Sequence, residues 1–227
     1  MEELREIDHL HFLVHPVYGN TLSDRSTDMP RIMDAYCSKI SVIAKNPKAR
    51  LYIIPPERYK ARREEQLNWL DELLLHAKLE MPGRFKVFNH DEVDDSELFR
   101  LKSKLSEGAR LHFWGEYFGD CVPQQALKAA FALGVKPEEA EERIKLDRSH
   151  SVKKHRGSPG TPAAPLYMKR LANPETRRAA YDEVNPSAQG ISRRVLTELY
   201  PEYYQRRKAG EKHWDLILAF KKRLERG

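Results

Sequence analysis

Arg110-Leu111-His112-Phe113-Trp114-Gly115-Glu116-Tyr117 is a short run of apolar and aromatic residues that ends in a turn signal, and it reads as a strand. Cys121–Leu133 follows it. Leu127, Ala130 and Phe131 lie at helical spacing there, and Gly134 supplies a stop. Arg143–Asp147 is a second short strand-like run. Strand, helix and strand in that order form a βαβ unit, whose strands are parallel and whose crossover is right-handed.

Working toward the N-terminus, the same pattern repeats. Strand-like runs lie at His9–His15, Arg50–Pro55 and Phe85–His90, with helical stretches over Pro30–Lys45, Glu57–Leu79 and Asp95–Leu105. Ile32, Ala35, Tyr36, Ile40 and Ile43 make the stripe of the first helix; Leu67, Leu70, Leu74 and Ala77 make that of the second. Strict alternation of strand and helix predicts an α/β fold: an open, mostly parallel sheet of five or six strands with helices on both faces. Residues 1–150 form this domain.

Beyond it the pattern changes. Ser149–Pro165 is an aperiodic linker rich in proline and basic residues. Helices alone are expected after it, over Ala164–Leu171, Glu175–Glu183, Ser192–Arg207 and Glu211–Arg226. Leu196, Leu199, Trp214, Ile217 and Leu218 are too many large apolar groups to leave in water, so this extension is expected to fold and pack. It is also where the charge lies. Of the formal net charge of +6, residues 151–227 contribute +9 (17 basic, 8 acidic) and residues 1–150 contribute −3 (23 basic, 26 acidic).

Composition narrows the classes. The 227 residues are 40% hydrophobic and 33% charged, enough for one core under a densely ionic surface. No apolar run approaches the length that spans a bilayer, and the N-terminus is acidic with no apolar signal segment, so a cytoplasmic protein is expected. Cys37 and Cys121 are far apart with no CxxC pattern, which fits thiols in a reducing compartment. Pro16-Val17-Tyr18-Gly19 after the first strand is neither GxGxxG nor a phosphate-binding loop, so no nucleotide cofactor is expected.

Ligands of open parallel sheets bind beyond the carboxyl ends of the strands. Four of the five ends here carry polar groups: His15 and Tyr18; Asn89-His90-Asp91-Glu92; Glu116 and Tyr117; Asp147 with His150. Cys121 opens a helix after a glycine-containing turn, where backbone N–H groups favour a thiolate, and His15 or His90 could take its proton. His15, His90 and His150 have neither HxxxH nor HxH spacing among themselves, and they read as solvated loop histidines rather than metal ligands.

The stretch Gly115–Val122, with Ala126, Ala129, Ala130 and Gly134, resembles the cysteine-bearing segment of the isochorismatase-like hydrolases. Asp95-Ser96-Glu97-Leu98-Phe99 is similar to the segment after that family's third strand. The resemblance covers roughly residues 8–150 and implies a parallel sheet flanked by helices. It also implies hydrolysis by a Cys nucleophile, an Asp base and a Lys. Cys121 matches the nucleophile. His15 stands where the Asp should be, and Asn89-His90 where the Lys should be. Pro55-Pro56-Glu57-Arg58 replaces the metal-binding Asp-x-His, so the resemblance implies no metal.

Three readings follow. In the first, the domain lacks the family's standard hydrolase activity and binds a small ligand or partner, with Tyr18, Glu116, Tyr117, Asp147 and His150 at the ligand and a homo-oligomer as its assembly. In the second, it is a rewired cysteine hydrolase of a small amide-like substrate, using Cys121 with His15 or His90. In the third, the basic tail contacts nucleic acid through Lys153, Lys154, Arg193, Arg194, Arg206 and Arg207, with tyrosines interleaved for stacking.

Overall fold

The computed structural model describes residues 6–17, 29–56, 64–116, 121–147, 173 and 194–226. The strands are β1 (Ile7–Val14), β2 (Ala49–Ile54), β3 (Phe85–Val87), β4 (Leu105–Gly115) and β5 (Ile144–Leu146). They form one sheet in the order β3-β2-β1-β4-β5, parallel throughout. The expected α/β architecture is what the chain adopts.

Period-two alternation sorts each strand's side chains between two faces. Leu10, Phe12 and Val14 of β1 and Leu111 and Phe113 of β4, all fully buried, share one face. Leu13 and Trp114 share the other, with Leu51 and Ile53 of β2. Helices α1 (Met29–Ala44) and α2 (Glu64–Glu80) cover the Leu13 face, with Tyr36, Ile40, Ile43, Leu73 and Ala77 buried there. Helices α3 (Asp95–Lys102) and α4 (Cys121–Ala132) cover the Phe12 face through Leu98, Leu101, Val122, Ala126, Ala129 and Ala130.

Three boundaries differ from expectation. The helix read over Asp95–Leu105 ends at Lys102, and β4 already begins at Leu105. Ser106-Glu107-Gly108 carries no apolar alternation, and the β1–β4 register shifts between Ile7, paired with Leu105, and His9, paired with Arg110. The extra residues loop out of the ladder as a bulge does. The third strand, read as far as His90, stops at Val87, and Asn89 and His90 are exposed turn residues. The second helix, expected from Glu57, is described from Glu64, and residues 57–63 lie outside the described residues.

The tail folds onto the core. A single π-helical turn, Val195–Leu199, runs into α6 (Tyr200–Lys208), and α7 (His213–Arg226) follows; α5 is the short turn Ala140–Arg143 before β5. Pro201 has no N–H for the carbonyl four residues back, and the turn ahead of it opens to the wider π form. Val195, Leu199, Tyr200, Tyr203, Leu216, Ile217 and Phe220 join the apolar cluster of α3 and α4. Tyr203 meets Phe131 edge-on at 6.2 Å, and the Tyr200 hydroxyl donates to the Val135 carbonyl at 2.5 Å. Helix α4 is thus sandwiched between sheet and tail, and its alanines permit the close approach.

Two tail residues expected to be buried are not. Trp214 is 48% and Leu218 55% exposed, because the stripe that docks is His213, Leu216, Ile217 and Phe220, on the opposite side of α7. The helices expected over 164–171 and 175–183, and the linker before them, lie outside the described residues. Among the described residues no helix is long and apolar enough to cross a membrane.

Candidate functional site

Strands β1 and β4 are neighbours at the centre of the sheet, yet α1 leaves β1 toward one face and α4 leaves β4 toward the other. Their carboxyl ends part at a topological switch point, the place where open α/β sheets hold ligands. The backbone there is unusual. His15 and Val17 have φ of +48° and +63°. Positive φ is rare for any residue with a side chain and is an outlier for a β-branched one, so local strain is held by the surroundings. His15 N–H donates to the Ile54 carbonyl at 2.8 Å, and Val17 is buried at 2% exposure.

Across from them, Gly115 has φ +132°, and a Cβ on it would lie 2.1 Å from the Val14 carbonyl oxygen. Only glycine fits. That same carbonyl accepts the Glu116 N–H at 3.0 Å, which fixes where the Glu116 side chain starts. Glu116 is a carboxylate at 3% exposure. Its charge, after burial itself, raises the Tyr36 hydroxyl well above the usual tyrosine range, so α1 brings Tyr36 within electrostatic reach.

The Asp147 N–H donates to the Phe113 carbonyl at 2.8 Å, and its carboxylate pairs with Lys39 of α1. The Lys39 ammonium lies 4.5 Å from the Trp114 ring centre, and Tyr36 meets the same ring edge-on at 5.6 Å. Tyr36 is expected from the sequence only as part of the apolar stripe of α1 and Trp114 only as a strand residue, and no local pattern marks Lys39, whose place at the site depends on how α1 packs.

His15 is turned toward the β3 end. Its Nε2 is 2.5 Å from the Asp91 carbonyl oxygen. A carbonyl only accepts, so Nε2 is the donor of this bond. His90, beside Asp91, is exposed. The loop carrying both is anchored to α4: Val93 N–H donates to Gln125 Oε1 at 2.9 Å, and Lys128 pairs with Glu92 at 3.0 Å. Cys121 is the first residue of α4, half-buried against the apolar cluster, and neither cysteine is in a disulfide. Tyr18, Tyr117 and His150 lie outside the described residues.

Of the basic residues assigned to nucleic acid, Lys153, Lys154 and Arg193 lie outside the described residues. The others are held by carboxylates. Arg194 pairs with Glu198, Arg206 with Glu202 and Glu211, and Arg207 with Asp95 at 3.7 Å while its guanidinium covers the Phe131 ring.

A second polar cluster lies away from the strand ends. His9 and His11 are two apart on β1, and His112 stands opposite His11 on β4. All three therefore project from the Leu13 face. His9 Nδ1 is 3.1 Å from His112 Nε2, and the His11 and His112 rings stack at 4.4 Å and 11°. Burial pushes His11 down to about 2, helped by the charges of His112, Lys39 and His9, with Asp147 opposing. Burial likewise lowers His112 to about 4, followed by His9 and Lys39. At neutral pH both rings are neutral. His9-Leu10-His11 was a legible HxH signal, since a strand puts both rings on one face; His112 was not, because its place depends on strand order.

Comparison with known proteins returns no matching family model, curated protein or solved structure.

Proposed function

We propose that this chain is a divergent isochorismatase-like domain that binds a small polar ligand at the β1/β4 switch point instead of hydrolysing one. The observation that carries the reading is the pair of left-handed, non-glycine residues, His15 and Val17, at the carboxyl end of the central strand, opposite a glycine that admits no side chain. Such strain persists where the surrounding structure enforces it, and it concentrates at ligand sites. The groups around it, His15, Glu116, Tyr36 and the Lys39–Asp147 pair, offer both signs of charge and hydrogen-bonding groups. A small molecule with polar groups of its own matches them better than an apolar one.

The test is a ligand-observed NMR screen of small amides, carboxylates and amines against the full chain, repeated with Glu116→Gln and His15→Ala. Binders that compete with one another and are lost in both variants support the reading; binders indifferent to both variants refute it. The rewired hydrolase is judged on the same library by ammonia release. Turnover abolished in Cys121→Ser, with iodoacetamide reacting far faster at Cys121 than at Cys37, would replace binding by catalysis. Burial, with Asp34 and Glu72 nearby, raises the Cys37 thiol, which makes it the slow reference.

A further inference from the structure

We propose that His9, His11 and His112 form a binding site for a divalent transition-metal ion, zinc foremost, on the α1 face of the sheet. These residues lie upstream of the strand-end groups and share the Lys39–Asp147 pair with them as a charged neighbour. His11 and His15 are four residues apart, about 13 Å along an extended strand.

The geometry is close to what an ion requires. One ligating nitrogen from each ring lies within 4.8 Å of the other two. Nitrogens bound to one tetrahedral zinc at 2.0–2.1 Å sit about 3.3 Å apart. His9 Nδ1 and His112 Nε2 are already at 3.1 Å. His11 Nδ1 is buried with no hydrogen-bond partner among the described residues. The third nitrogen must still close from within 4.8 Å, and rotation of the His11 ring off its stack on His112 about χ2, a soft torsion, is the movement the proposal requires. The backbone need not move, because the β1–β4 ladder pins the three Cα positions on rigid strands.

Packing alone accounts poorly for this trio. The neighbouring positions on the same face are Leu13 and Trp114, both fully buried. Among the described residues His11 Nδ1 is buried without a hydrogen-bond partner, which costs stability that leucine or valine would not. Imidazole nitrogens are the commonest protein ligands for such ions, and each ring here brings one to the cluster. Asp147 brings a negative charge within reach of both rings. An all-imidazole set without thiolate or bound carboxylate suits zinc, copper, nickel or cobalt over magnesium or calcium. Three imidazoles leave a fourth position open to water or an anion, and all three residues are only part-buried, so the ion has access.

The experiment uses the full chain, stripped with chelator and titrated with Co²⁺ alone, followed by displacement with Zn²⁺. One equivalent of Co²⁺ should bind with the visible absorption of a four- or five-coordinate nitrogen site. His11→Ala and His112→Ala should each weaken it by more than about 100-fold, beyond the 10–100-fold typical of losing an outer-shell partner. His76→Ala, which removes an imidazole bonded to Cys37 and Ser41 on the helices, should leave binding unchanged. Should the histidine variants misfold, the unmodified chain still decides: one equivalent of Zn²⁺ must shift the imidazole nitrogen resonances of three histidines, assigned as 9, 11 and 112. No stoichiometric binding, a thiolate-to-cobalt band from Cys37 or Cys121, or shifts confined to other histidines would overturn the proposal.

Discussion

The two faces of the sheet are built from the same strands and end up chemically opposite. Toward α3 and α4, β1 presents Leu10, Phe12 and Val14, and a third layer of tail helices seals the packing. Toward α1, the same strand presents His9, His11 and Leu13, and β4 adds His112 and Trp114. One face has been given over to stability. The other keeps polar groups at a cost, and both candidate sites draw on it. A doubly wound sheet makes that division easy, since a single residue step along a strand moves a side chain from one role to the other.

The largest test of the contrast uses neighbours in sequence. Phe113→Ala should cost about 3–5 kcal/mol in urea unfolding, the loss for a fully buried phenyl ring. His112→Leu, one residue away, should change stability by less than about 1 kcal/mol in either direction, because the lost hydrogen bond to His9 is offset by burying an apolar group of similar size. Equal losses at the two positions would erase the distinction.

Tyrosine hydroxyls sharpen it. Tyr200→Phe strips the bond to the buried Val135 carbonyl and should cost about 1–2 kcal/mol. Tyr36→Phe, on the other face, removes a buried hydroxyl with no hydrogen-bond partner among the described residues, and should be neutral or stabilising. Burial raises both hydroxyls above the usual tyrosine range, so neither ionises near neutral pH.

A similar loss should appear only in acid. His213 is buried where α7 docks, its Nδ1 2.9 Å from the Tyr203 hydroxyl, and burial lowers it to about 3 with Lys128 and Arg207 contributing. The unfolded chain binds the proton near pH 6.5, and the folded one does not until about 3. Stability is therefore intact above 6.5 and falls as pH drops through this window. Between pH 6.5 and 5 the loss from this group should be about 1.5 kcal/mol. His213→Gln should flatten that slope in urea midpoints measured at each pH. An unchanged slope would mean that α7 loosens before His213 takes up its proton. The smallest effect belongs to Leu218→Ser, on the outer side of the same helix, which should stay within about 0.5 kcal/mol.

Strand alternation, the two-layer wrapping and the edge that carries His15, Glu116 and Asp147 were legible because short-range patterns encode them. The start of β4 was not. Ser106-Glu107-Gly108 has the composition of a turn, and only the ladder to Ile7 makes a strand of it. Burial of Trp214 was misjudged because counting apolar residues along a helix does not say which side docks. The histidine trio shows the deeper limit. His9 and His11 share a face by local rule, but His112 reaches them across 101 residues through a strand order that no local pattern specifies.

The docking of α6 and α7 on α4 also has a consequence in time. Among the described residues the last strand is complete at Leu146, while Tyr200, Tyr203 and Phe220, which cover α4, come about 50–70 residues later. At the 5–20 residues per second of ribosomal synthesis, this leaves α4 without its cover for several seconds. During that interval the nascent chain carries the five described strands beneath an unroofed, alanine-rich helix. It is then open to holdase chaperones and to wrong partners, and synthesis of its own carboxyl-terminal helices ends the exposure.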